Sequence, residues 1–157
     1  MQELIAIIIS LIFLFYSFYI YSRFGVLSSV SASTYELQGQ NRWIFLATLW
    51  SMGILNLFMG MGVFGFMASA GIIFAGMTID HEKGPGATDE IHTIGTVLAI
   101  VSTFAGFIVL HGLFYPSAIL VWSILIILAY RIDNKIWWIE IASMILATAG
   151  YIAIYNS

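Results

Sequence analysis

The residues that could do chemistry together stand in three places along the chain. The stretch TIDHEKGPGATDEIH, Thr78 to His92, holds two of the three histidines and four of the eight carboxylates, and lies between two long apolar runs. Within it Asp89 and His92 are three apart and can share one helical face. The KGPG between Asp80–His81 and His92 permits a compact turn, because Gly and Pro disfavour continued helix. Asp80 or His81 would then come within reach of His92. A neutral imidazole among carboxylates is a divalent-metal set, and a carboxylate behind the ring fixes its tautomer.

Glu140 is the second place. In IWWIEIASM it lies about one turn inside an apolar run, where a carboxylate is costly and needs a partner facing protein or water. His92, Arg131 and the hydroxyls of SVSASTY are its candidates. That serine-rich stretch is the third place, and it offers Ser31, Ser33 and Tyr35 as binding groups. Asp80, His92 and Glu140 are thus the candidate metal ligands, with zinc a suitable ion. His92 and Glu140 are also the candidate acid–base pair.

Each residue has an ordinary use as well. Asp89 would complement a helix dipole, Asp80 would cap a helix end, and the serines would solvate a connection. No HExxH spacing and no nucleophile elbow occurs. On one continuous helix His111 lies about 28 Å from His92, too far to join it.

The elements that must position these groups are hydrophobic throughout. Of 157 residues 61% are hydrophobic and 8% charged, with a mean hydropathy of +1.00. Soluble domains carry about 25% charged residues, so the chain reads as an integral membrane protein. With no cysteine there is no disulfide framework, zinc finger or thiol nucleophile. A net charge of −3 without a basic cluster gives no reason to expect nucleic acid.

Six apolar stretches are predicted to span: residues 3–22, 43–58, 61–79, 91–112, 116–130 and 136–155. No Lys or Arg precedes the first and Arg23 follows it, so it reads as a retained span and not a signal peptide. The second and third together are short for two helices of roughly 20 residues. Charge decides in favour of two. With six spans Arg23, Arg42, Lys83, Arg131 and Lys135 all fall on one side, as cytoplasmic loops require. Both termini are then outside the cytoplasm, and a bacterial inner membrane is the expected location.

This orientation collects the three chemical stretches on the cytoplasmic face, leaving Glu3, Asn56, His111 and Asn156 on the other. Trp43 and Trp137–Trp138 sit where an interfacial aromatic belt would be. Pro116 suits a first helical turn. Ala68, Gly71, Ala75 and Gly76 form a small-residue face for close helix packing in lipid.

SVSASTYEL, AGMTIDHE with DEIHTIGTVLA, and NKIWWIEI resemble a family of small membrane proteins of unknown activity in bacteria and their phages. Ser, Asp and His at helix ends are also distantly similar to the ceramidase and adiponectin-receptor superfamily. That second resemblance implies a zinc-bound water attacking a lipid amide. The paired HxxxH-type histidines and the seventh span of that superfamily are absent here.

The expectation is an all-α bundle of six short transmembrane helices with a polar cavity at the cytoplasmic face. It would bind a lipid headgroup, an ion or a partner, as a homo-oligomer or beside other membrane proteins. The alternative is a metal-dependent hydrolase acting on a lipid. A pore or proton pathway is disfavoured, since the middle of the bundle offers only Ser, Thr and Asn56.

Overall fold

A backbone surrounded by hydrocarbon must satisfy its own hydrogen bonds, and continuous apolar runs do so as helices. The computed structural model describes residues 1–37, 41–77, 87–130 and 132–156, with side chains throughout these ranges except at 34, 35, 42, 87–90 and 156. The chain folds as α1 (Gln2–Phe24), α2 (Ser33–Glu36), α3 (Arg42–Leu57), α4 (Gly62–Gly76), α5 (Ala87–His111), α6 (Phe114–Ala129) and α7 (Lys135–Asn156). Apart from the single turn α2, that makes six helices among the described residues, and no strand. Gln2–Phe24, Ile91–His111 and Lys135–Tyr155 are long and apolar enough to cross a membrane. The other three have 15 or 16 residues.

The 37-residue stretch from Trp43 is a helical hairpin, α3 against α4. Its turn contains Gly60 at φ 71° and is followed by Gly62 at φ 55°, a left-handed conformation that glycine adopts without a Cβ penalty. α4 packs between α3 and α5, α1 between α3 and α7, and α6 against α7 and α5. The interior holds Phe13, Tyr16, Ile20, Phe45, Met52, Phe104, Phe107 and Tyr151.

The outer faces are just as apolar. Phe15 is 71% exposed, Phe18 69%, Phe66 65% and Trp122 66%. Such a surface would drive association in water, whereas lipid solvates it. The chain is an integral membrane protein of the all-α class.

Small residues set the tightest contact, between α4 and α5. A Cβ on Gly71 would lie 2.6 Å from the Gly95 carbonyl oxygen and from the Ala99 nitrogen. Ala68, Ala75 and Gly76 on the same helix are buried too.

One residue sits elsewhere than the sequence suggests. Trp43 and Trp138 are exposed, as belt residues would be, but Trp137 is buried at 3% exposure. Its backbone N–H donates to the Ser28 carbonyl at 3.3 Å, so the start of α7 is covered by the chain that follows α1. Asn56, one of the few polar groups expected in the middle of the bundle, is 4% exposed. Its side-chain nitrogen donates to Ser69 Oγ at 3.1 Å and to the Gly65 carbonyl at 3.3 Å, while its oxygen accepts from Tyr151 at 3.0 Å. It therefore ties α3 to α4 and α7. Asn56→Leu should lower thermal stability by about 1–3 kcal/mol, because it strands buried partners. A melting curve in detergent coinciding with that of the wild type would show those bonds to be dispensable.

Candidate ligand-binding cavity

The chain between α1 and α2 is stitched over the beginning of α7. Gly25, at φ 76°, ends α1. The Asn134 side chain then donates to the Val26 carbonyl at 3.1 Å and the Trp137 N–H to Ser28. Ser29 accepts from the Ala32 N–H at 2.9 Å, a serine side chain closing a turn as these residues do. The turn leaves the Val30 N–H pointing at α7, where Glu140 Oε2 accepts it at 2.6 Å. Ser31 Oγ donates to Glu140 Oε1 at 3.4 Å.

The other side of the Val30 peptide is held as well. Ser33 Oγ donates to the Val30 carbonyl at 2.5 Å and is hydrogen-bonded to Tyr16 on α1. Ser33 has one proton, so Tyr16 donates to it. One peptide unit is thus gripped from α7 through its N–H and from α1 through its carbonyl.

His92, near the start of α5, meets the end of α4. Ala75 lies in the last turn of α4, whose carbonyls lack intrahelical partners. Its oxygen accepts from His92 Nδ1 at 2.8 Å. A carbonyl only accepts, so Nδ1 carries the proton, and in the neutral ring Nε2 is the acceptor. Thr96 Oγ1, one turn on, is 3.4 Å from Nε2. Phe45 of α3 packs on the ring at 6.2 Å between centroids.

Glu140 and His92 line one cavity of about 130 Å³. Its walls are single faces of four helices: Phe45, Leu49 and Met52 on α3, Ile72 and Ala75 on α4, His92 to Phe104 on α5, and Glu140, Ser143, Met144 and Ala147 on α7. Phe13, Val30 and Ser31 complete it. Its polar side chains are Ser31, His92, Thr96, Thr103, Glu140 and Ser143, and the rest of the lining is aromatic and aliphatic. Such a chamber suits a molecule with a polar end and an apolar body.

Of the residues singled out from sequence, Ser31, His92 and Glu140 meet at this cavity. Ser33 is fully buried and supports the loop without reaching the wall. Asp80, His81 and Arg131 lie outside the described residues, as do the side chains of Tyr35 and Asp89. Among the described residues no group of three His, Cys, Asp or Glu could hold a metal. His92 and Glu140 would therefore need a third ligand from elsewhere.

Sequence reasoning passed over Thr96, Thr103 and Ser143. A signal was there: His92, Thr96 and Thr103 recur at helical spacing on one face of an apolar helix, and Glu140 and Ser143 stand three apart. Comparison with protein-family models, with curated proteins and with solved structures finds no match to this chain.

Proposed function

We propose that this protein binds an amphiphile inside the membrane, with its head at Glu140, Ser31 and His92 and its apolar body along Phe13, Phe45, Met52 and Phe104. The observation that carries this is a mainly apolar cavity between helices whose two ionisable lining groups, His92 and Glu140, each stand near the start of their helix. The protein purified in mild detergent should retain close to one amphiphile per chain, seen by extraction and mass spectrometry. Ala147→Phe, which fills the apolar end, should lose it. Retention no greater than a detergent control, or unchanged by Ala147→Phe, would end the proposal.

One feature favours a second reading. A histidine whose Nδ1–H is fixed on a backbone carbonyl presents Nε2 as metal ligands do. In that reading His92, Glu140 and Asp80 hold a divalent ion for hydrolysis of a lipid. Stoichiometric zinc in the purified protein, lost in His92→Ala, would select it over simple binding.

The same proposal places the cavity at the cytoplasmic face of a bacterial inner membrane, with both termini on the other side. The support is that all five Lys and Arg fall on one side when six helices cross. Single cysteines at Ser157 and Gly86 should react with an impermeant reagent from opposite sides. Reaction of both from one side would overturn the six-span topology.

A further inference from the structure

The side chains that face the cavity have already committed their protons. Ser143 Oγ donates to the Ile139 carbonyl at 2.7 Å and Thr103 Oγ1 to the Ala99 carbonyl at 2.8 Å. Both are backbone bonds within their own helices, a common use of Ser and Thr in apolar helices. The Ser31 hydroxyl is spent on Glu140, and the His92 Nδ1–H on Ala75. Thr96 faces His92 Nε2, which in this tautomer can only accept. Glu140 as a carboxylate has acceptor capacity alone, with about four lone-pair sites, of which the Val30 N–H, the Ser31 hydroxyl and the Ser31 N–H take three. No Lys or Arg lines the cavity among the described residues. The polar end is thus a wall of acceptors.

The shape narrows the choice again. The α5 wall runs from His92 to Phe104, about 18 Å along the helix, and the α7 wall from Glu140 to Ala147, about 10 Å. A volume near 130 Å³ is too small to take a two-chain lipid as a whole.

We infer that the ligand is a single-chain amphiphile whose head donates hydrogen bonds and carries no negative charge, an amine or an alcohol. An anionic head would meet the Glu140 carboxylate and the lone pairs of Ser143, with no Lys or Arg among the described lining residues to answer it. An ammonium or hydroxyl head supplies the protons that these oxygens lack. This assignment rests on the cavity reading above, and the test separates the two.

The full chain in phosphatidylcholine nanodiscs is titrated with dodecylamine, dodecanol and dodecanoic acid, and saturable one-to-one binding is counted by native mass spectrometry. The amine or the alcohol should bind at least tenfold more tightly than the acid, and the stronger of the two identifies the head. Ala147→Phe should abolish binding of either. Ser143→Ala, which leaves the Val30–Glu140 clasp intact, should weaken it severalfold. Acid binding equal to or tighter than both others, and lost in Ala147→Phe, would overturn the donor-head assignment while leaving the cavity as the site. Absence of saturable binding by any probe, or binding indifferent to Ala147→Phe, would remove both.

Discussion

Gly71→Ala is expected to destabilise the bundle by about 2 kcal/mol, and Gly71→Val by more, within or above the usual range for overpacking. The added Cβ would stand 2.6 Å from two backbone atoms of α5, and a Cβ on Gly95 would stand 2.7 Å from the Gly71 carbonyl and the Ala75 nitrogen. Backbone on both sides leaves no flexible side chain to give way, so the helices must separate. That separation also pulls Ala75 from His92, whose hydrogen bond at 2.8 Å depends on the close approach. Thermal melting in detergent checks the claim against Ala149→Val, on an exposed face of α7. Gly71→Ala melting with the control would mean that the contact relaxes freely.

Glu140→Leu should cost about 1–3 kcal/mol, the range for stranding buried partners, and Glu140→Gln should cost less. Leucine leaves the Val30 N–H and the Ser31 hydroxyl without their acceptor, while glutamine keeps one oxygen for Val30. The clasp also predicts coupling. Tyr16→Phe loosens the carbonyl side of the same peptide through Ser33, so its effect should not add to that of Glu140→Leu, as expected for residues acting on one unit. If Glu140→Leu is as stable as the wild type, or the double variant is strictly additive, the loop is held by other means.

The helices were legible because uninterrupted hydrophobicity has a single backbone solution in lipid. Even the difficult hairpin could be drawn from charge placement, with NLFMGMG as its turn. Glu140 stood out because a carboxylate in an apolar run demands a partner, and a hydroxyl of the serine-rich loop was among those foreseen. The Val30 peptide was not, since backbone donors leave no trace in residue types. Nor were the cavity walls on α3 and α4. In a helix apolar all round, the periodicity that normally marks an inner face disappears, and Phe45 and Met52 read like any lipid-facing residue. Trp137 was misplaced for a related reason, because tryptophan near a helix end fits the belt and the interior equally well. Asn56 was legible as a polar group of the bundle's middle, but its partners Tyr151 and Ser69 were not.

The brevity of α3 and α4 reaches beyond the protein itself. Sixteen and 15 residues rise only about 22–24 Å, against a hydrocarbon thickness of roughly 30 Å. On the proposed six-span topology, lipids beside this hairpin would have to shorten their reach, and the deficit costs fractions of a kcal/mol per ångström. α6, with 16 residues, makes the same demand, while the long helices α1, α5 and α7 do not. A bundle of this outline would thin the bilayer beside its short helices, and it would drift toward thin regions of the membrane and settle there.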